Sequence, residues 1–374
     1  MAKTLGDLLT ALNRPSPEEW ERVPVFGISD DSRCLRTGDV FVAIPGLTHD
    51  GADYVQQAVH RGAVAVVCER KCDVSIPTLL VEDAREALAA LAAAFYDHPT
   101  RDLFTIGVTG TNGKTTVCHL SSHLLGEERT GLIGTVANEA RGGLRGVTTP
   151  TSPTVQRIAR EAKEGGKENL VIEASSIGLA QHRLDHVDFD VAAFTNLSRD
   201  HYDLHRDREG YLRAKELLFR RLNPDAWAVI NTADPVSHRI LAVATGRALT
   251  YAIEGGGDLT VSELHVVERS SSFRVHWGKA RADVDLPLPG RHNVENALAG
   301  CRQALRAAQH GLHPADKLSR AKGLGHIIVR SQFQPAHLVP FFIPNRQHDH
   351  GDVRDLAQCA QRLKAIQFGH HHVE

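Results

Sequence analysis

Gly107-Val108-Thr109-Gly110-Thr111-Asn112-Gly113-Lys114-Thr115-Thr116 follows the apolar run Leu103 to Val108 and leads into a segment with helical spacing. A strand, a Gly-rich turn and a helix in that order form the arrangement that holds phosphates. The N–H groups of the turn and of the helix N-terminus point at the anion. The glycines let the backbone come close, Lys114 offers a cation to the outer phosphates, and Thr115 offers a hydroxyl to Mg²⁺. The strict P-loop spelling asks for Gly five residues before Gly113, where Val108 stands. The match is therefore to a shorter variant, Gly-x-x-Gly-Lys-Thr-Thr. A tight Gly/Asn turn with a stray lysine is the competing reading, and the strand before and helix after argue against it.

The rest of the chain is that of an ordinary folded protein. Its 374 residues are enough for two or three domains, and 42% hydrophobic content allows each a core. A net charge of -2 with both signs interspersed excludes a nucleic-acid surface as the main business. The N-terminal residues show no apolar signal region and no run reaches membrane-spanning length. The six cysteines form no CxxC pair, so free thiols in a reducing cytoplasm are expected.

Residues 1–98 read as a first α/β domain, with strands at 39–44, 63–68 and 77–81 and an Ala/Leu-rich helix from Ala84 to Tyr96. Residues 99–312 read as a second α/β domain of the P-loop type. Its strands at 103–109, 169–174, 190–195 and 226–231 alternate with helices at 114–126, 153–164 and 208–221, which predicts a mainly parallel sheet. Ligands of such sheets sit at the carboxyl ends of the strands, so the polar residues there are the site candidates. Residues 256–288 alternate like antiparallel strands, and 293–310 have helical spacing. The tail, 313–374, is Pro- and His-rich with poor periodicity.

Glu173 ends an apolar strand, where a carboxylate is placed to hold Mg²⁺, although acidic residues at strand ends are common. The stretch from Thr195 to His205 follows another strand. His201 there is either a metal ligand or a surface histidine, and imidazole is an unusual partner for Mg²⁺. Lys215 has Tyr211, Leu212, Leu218 and Phe219 at helical spacing around it, so it lies on the apolar stripe. Spacing alone favours a lysine that snorkels over the core. The alternative is a desolvated amine able to take up CO₂ as a carbamate, an anion that binds metal. Gln181 and Arg183 form a polar pair, and Arg183 is suited to clamp a carboxylate or phosphate. Thr148 and Thr149 place hydroxyls on a loop, and Asn293 is a helix cap, an adenine contact or both.

Taken in order, the motifs Gly-Thr-Asn-Gly-Lys-Thr-Thr, Glu-Ala-Ser-Ser-x-Gly-Leu-x-Gln-x-Arg, Thr-Asn-Leu-Ser-Arg-Asp-His, Tyr-x-x-Ala-Lys-x-x-Leu-Phe and Gly-x-His-Asn-x-x-Asn-Ala resemble the Mur ligase family. These are the ATP-dependent amide-forming enzymes of peptidoglycan precursor synthesis. The resemblance covers about residues 20 to 312 and is nearest to the tripeptide-forming members. It implies an N-terminal nucleotide-sugar-binding α/β domain and a central ATP-binding domain. The expected reaction adds a diamino acid, meso-diaminopimelate in preference to L-lysine, to UDP-MurNAc-L-Ala-D-Glu through an acyl phosphate. It further implies that Gly110, Thr111, Asn112, Gly113, Lys114, Thr115 and Thr116 bind ATP phosphates, with Asn293 by the adenine. Thr115 and Glu173 would hold one Mg²⁺; Glu173, His201 and carbamylated Lys215 would serve a second. Ser32 and the turn at 47–49 would meet the uridine nucleotide, and Thr148, Thr149, Ser175, Gln181 and Arg183 the muramoyl-dipeptide. Asn231 and Asp234 match a further motif on the nucleotide side.

The pattern departs from the family twice. Ile177 stands where the family usually has His, and the tail matches none of the C-terminal domain that selects the incoming amino acid. A truncated or altered C-terminus is expected. The competing expectations are another amide ligase of the superfamily (folylpolyglutamate synthase, cyanophycin synthetase or the dipeptide-adding Mur ligase) and an inactive remnant that only binds ligands. A cytoplasmic monomer without nucleic-acid or membrane partners completes the expectation.

Overall fold

A computed structural model describes residues 3–46, 48–143, 145–198, 207–310 and 360–362. The chain begins with β1 (Lys3–Thr4), α1 (Leu5–Ala11), α2 (Glu18–Glu21) and β2 (Pro24–Val25). A four-stranded parallel sheet follows, in spatial order β3 (Gly27–Ser29), β4 (Asp39–Ala43), β5 (Ala65–Cys68) and β6 (Thr78–Leu80), with α3 (Val55–His60) crossing from β4 to β5. Every residue of β4 and β5 is buried, as expected of strands covered on both faces. Helix α4 (Ala84–Phe95) starts where the Asp83 carboxylate accepts the Arg85 and Glu86 N–H groups. Its Ala and Leu residues pack on one face of this sheet with Leu5, Leu8 and Leu9 of α1.

A nine-stranded sheet forms the centre of the molecule. In chain order its first half comprises β7 (Phe104–Thr109), α5 (Lys114–Leu125), β8 (Thr130–Ile133), α6 (Thr135–Ala140), α7 (Ser152–Glu164), β9 (Asn169–Glu173), α8 (Ser176–Ala180) and β10 (Val191–Phe194). The second half comprises α9 (Arg208–Arg220), β11 (Trp227–Asn231), α10 (Ser237–Val243), β12 (Arg247–Tyr251), β13 (Leu259–Val266), β14 (Ser271–Trp277), β15 (Ala280–Leu286) and α11 (Arg291–His310). The spatial order is β15-β14-β13-β12-β11-β10-β7-β9-β8. Pairing is parallel from β8 through β13 and antiparallel across β13, β14 and β15. The expected mainly parallel α/β architecture is thus observed. Strands β8 and β12 and the short first strands are additions that apolar runs did not reveal.

Successive strand residues face opposite sides, and the two sides carry different cores. Ile106, Val108, Val171, Val191, Ala193 and Val229 face α5 and α11, through Val117, Leu120, Val294, Ala297 and Leu298. Leu170, Ile172, Ala192, Phe194, Ala228 and Ile230 face α7, α9 and α10, through Val155, Ile158, Leu212, Phe219 and Ile240. From β7 the chain crosses to the edge strand β8 and returns to β9 beside β7, then passes to β10 on the other side of β7 and runs outward to β12. β7 and β10 therefore flank the switch point, where parallel sheets open a crevice beyond the strand ends.

Candidate active site

The turn after β7 takes its shape from two glycines. Gly110 has φ of 151° and Gly113 φ of 86°, both in the left-handed region. A Cβ on Gly110 would lie 1.9 Å from Thr195 Oγ1, and one on Gly113 would lie 2.3 Å from Asn296 Oδ1. Gly113 is the N-cap of α5, and no side chain caps the first turn of this 12-residue helix, the end at which helices take up anions. Lys114 Nζ folds back over the turn and donates to the Gly110 and Thr111 carbonyls at 3.0 and 2.8 Å.

The loop after β10 clasps this turn. Thr111 N–H donates to Asn196 O (2.8 Å), Asn112 N–H to Asn196 Oδ1 (2.9 Å), and Thr195 Oγ1 to Asn112 O (2.6 Å). Ser198 N–H donates to Thr111 Oγ1 at 3.0 Å. Asn231 Nδ2 ties the same loop through Thr195 O at 2.9 Å, and Asp234 ties it through the Leu197 N–H at 2.7 Å. Asn231 and Asp234 thus brace the loop behind the phosphate turn. His201 lies outside the described residues.

Glu173, at the end of β9, is 2% exposed. Its carboxylate accepts from Thr115 Oγ1 at 3.0 Å and from Thr135 N–H at 3.1 Å. Burial pushes its carboxyl above the ordinary range, against the opposing pull of Thr115, Thr135 and Lys114. A Cβ at Gly134 would meet Glu173 Oε1 at 2.2 Å, so only glycine leaves room for the carboxylate there. A hydroxyl and a buried carboxylate beside an N–H-lined turn are a hard-oxygen set that fits Mg²⁺. Among the described residues no three His, Cys, Asp or Glu side chains cluster as metal ligands.

Lys215 departs from the snorkelling expectation. It is 1% exposed, its Nζ donates to Gly110 O at 2.8 Å, and it lies 4.2 Å from the centre of the Tyr211 ring. Helical spacing put it on the inward stripe correctly, but that stripe ends at the phosphate turn. The amine thus has a carbonyl to meet and no need to reach solvent. Tyr211, one turn earlier, adds a hydroxyl that donates to Thr111 Oγ1 at 3.2 Å.

A second polar group lies on the other side of Glu173. Thr149 Oγ1 donates to Glu173 O at 2.7 Å and accepts from Ser175 N–H at 3.0 Å. Thr148 and Thr135 hydroxyls are 3.0 Å apart. Arg183 donates to Thr149 O (2.7 Å) and to Gln181 Oε1 (2.6 Å), so these residues form one network. Ser175 caps α8 by accepting the Gly178 N–H, and Ile177 lies half-buried within that helix. Ser32 is elsewhere, in the N-terminal half, 6% exposed and donating to Gln57 Oε1 at 2.7 Å.

Asn293 is not a helix cap: α11 begins at Arg291, and the Asn293 amide reaches back to Pro289 O at 2.8 Å. Three residues that matter here were missed from sequence: Tyr211, Thr135 and Asn296. Tyr211 carried a signal, its i−4 position to Lys215, and Asn296 lies one helical turn from Asn293. Thr135 carried none.

The chain matches the model of the Mur ligase middle domain over residues 108–304 and that of the Mur ligase family catalytic domain over residues 24–96. It is 39% identical over 319 residues to the UDP-N-acetylmuramoyl-L-alanyl-D-glutamate–2,6-diaminopimelate ligase of Bacillus licheniformis, covering 81% of this chain and 64% of that protein. The ligase of the same name from Caldanaerobacter subterraneus subsp. tengcongensis is 36% identical over 92% of this chain and 71% of its own length. A solved structure of a ligase with that name superposes with a TM-score of 0.71 at 28% identity, covering 82% of this chain and 64% of the other. A MurF structure from Acinetobacter baumannii gives 0.61 at 26% identity, covering 84% and 67%. The chain spans 64% and 59% of the first two of its curated relatives. With two family models matched in order, the chain belongs to the Mur ligase family.

Proposed function

We propose that the chain carries the nucleotide- and acid-binding parts of an ATP-dependent ligase that joins 2,6-diaminopimelate, in its meso form, to UDP-N-acetylmuramoyl-L-alanyl-D-glutamate. The observation that carries this reading is the hydrogen-bonded continuity from the Gly110–Thr116 turn through Thr115 and Glu173 to Thr149, Arg183 and Gln181. The names of the similar ligases support the choice of acid and amine.

A carboxylate does not acylate an amine at neutral pH without activation. The acid's carboxylate oxygen attacks the γ-phosphorus of ATP, the bond to the β-phosphate oxygen breaks, and ADP leaves. The amine nitrogen then attacks the acyl phosphate, phosphate leaves, and the amine gives up a proton. Residues of this chain contribute position and charge. The turn N–H groups and Lys114 hold the triphosphate, Arg183 and Gln181 hold the acid in line with it, and Asn293 lies by the adenine. Thr115 and Glu173 would hold a Mg²⁺, whose chemistry is to neutralise charge on the transferring phosphoryl group.

Lys215 as a carbamate, with Glu173 and His201, belongs to the same proposal for a second Mg²⁺. Carbamylation joins the amine nitrogen to CO₂ and releases a proton; the remaining N–H keeps a donor for Gly110 O. Carbon-13 NMR with labelled bicarbonate is expected to show a carbamate signal that vanishes in Lys215→Gln, and a signal retained in that variant removes the assignment.

None of the five cysteines among the described residues is in a disulfide, which fits the cytoplasm, where ATP is also available. No helix among the described residues is long and apolar enough to cross a membrane. We read the chain as a monomer.

The test of the reading is Lys114→Ala, assayed as ATP-dependent acyl-phosphate formation from the UDP-linked acid. Loss of activity, on the order of a hundredfold or more, is expected. Activity at the wild-type level overturns the phosphate-turn assignment. A panel of acids and amines with phosphate release as readout separates this ligase from its superfamily relatives.

A further inference from the structure

The turn from Pro45 to Asp50 closes with a backbone bridge between those two residues and a hydrogen bond from Gly46 N–H to His49 O at 2.9 Å. Arg85, half-buried on the first turn of α4, reaches across to this turn and donates from Nη2 to Pro45 O at 2.6 Å. The same end of α4 faces the turn that carries Gln181 and Arg183, since Asp83 Oδ2 lies 3.9 Å from His182 Nε2. Arg85 therefore stands between the turn expected to meet the nucleotide and the network expected to meet the peptide acid.

Its charge is not neutralised there. Arg70 pairs with Asp50 and Asp53, and Arg33 pairs with Asp31. Arg85 makes no ion pair among the described residues and spends its hydrogen bond on a carbonyl. Burial is what chiefly works against the Arg183 charge; Asp30 favours that charge and Arg85 adds to the opposition. Burial first, and then neighbouring Asp31, push the Asp30 carboxyl above the ordinary range, against the pull of Arg183. Two guanidinium groups thus act on one another across the junction of the two sheets, an arrangement that a bound anion relieves.

We propose that Arg85 is a positioning residue for the diphosphate of the nucleotide-sugar substrate, an assignment that rests on the reading that this chain binds a UDP-linked acid. A diphosphate is a fork of charged oxygens that a guanidinium meets in two-pronged fashion. Among the groups expected on the nucleotide side, Ser32 and the 47–49 turn, none brings a fixed positive charge. Arg183 is committed to the carboxylate of the acid, which leaves Arg85 to the phosphates.

The experiment is calorimetric binding of UDP-MurNAc-L-Ala-D-Glu, UDP and uridine to the full chain and to its Arg85→Ala and Arg85→Lys variants. Arg85→Ala is expected to weaken the two diphosphate ligands roughly 10- to 100-fold, with uridine and ATP unchanged and Arg85→Lys recovering part of the loss. Where turnover is measurable, KM for the acid rises while kcat holds. UDP affinity equal to wild type in Arg85→Ala overturns the assignment. Equal losses for uridine and UDP also overturn it, because they reduce Arg85 to a brace for the Pro45 turn. If the wild-type chain fails to bind the UDP-linked acid, the proposed function itself falls.

Discussion

At the scale of single residues, Gly113 shows how a sequence motif becomes a geometric demand. Its φ of 86° disfavours any L side chain, and Asn296 Oδ1 occupies the space a Cβ would need. Gly113→Ala is expected to cost about 1–3 kcal/mol, read from denaturant unfolding, and to weaken ATP binding, because the strain falls on the phosphate turn. Stability and ATP affinity both at wild-type values would show that the turn is not under this constraint. Lys215 teaches the converse. Its place on an apolar stripe was legible from spacing, but its partner, a carbonyl 105 positions earlier in the chain, was not. A lysine whose stripe ends over an open surface and one whose stripe ends over a backbone turn have the same neighbours in sequence.

At the scale of elements, the short turn between α8 and β10 holds the acid-side network in place. His182 sits at φ of 58°, between Gln181 and Arg183, and its Nδ1 pairs with Asp185 Oδ2 at 2.7 Å. That hydrogen bond raises the His182 pKa above its ordinary value, helped by Asp83 and opposed by burial and by Arg221. A raised folded-state pKa means that the protonated form stabilises the fold. The contribution is complete below the unfolded value of about 6.5 and disappears as pH rises through the folded value. Melting temperatures of wild type and His182→Asn are therefore expected to differ most in mild acid and to converge above neutrality; asparagine tolerates the left-handed backbone. A difference independent of pH would mean that His182 matters for packing alone. The strand–turn–helix at 104–125 was legible because β7 carries Phe104, Ile106 and Val108 at alternate positions and α5 keeps helical spacing. Strand β8 was not, since Thr130-Gly131-Leu132-Ile133 is too short to stand out and is held by its pairing with β9.

At the scale of the whole molecule, the two sheets keep separate cores and meet along α4, α7 and the turns around them. Charged pairs line that junction. Asp97 binds Lys3 at 2.6 Å and Arg160 at 2.9 Å, with about half of its own side chain exposed (52%). Exposed pairs of this kind contribute little, so Asp97→Asn is expected to cost at most about 1 kcal/mol in urea unfolding. A loss several times larger would show that the pairs, and not the apolar residues of α4, hold the halves together. The junction also explains why Arg85 was not singled out from the sequence: it looks like any arginine on the first turn of a helix. Only the approach of α4 to the Gln181–Arg183 turn gives its charge a neighbour.

The sequence by itself determined the class of fold and the phosphate turn, because apolar period and glycine placement act over a few residues and leave a local record. It also marked Glu173, Lys114 and Arg183 as chemistry-bearing, through their positions at strand ends and turns. The tertiary structure decided which of these groups are linked by hydrogen bonds and where the buried amine of Lys215 ends. It decided as well that Asn231 and Asp234 brace a loop behind the phosphate turn. Those outcomes depend on the order in which strands lie side by side, and strand order is set by packing between residues far apart in the chain.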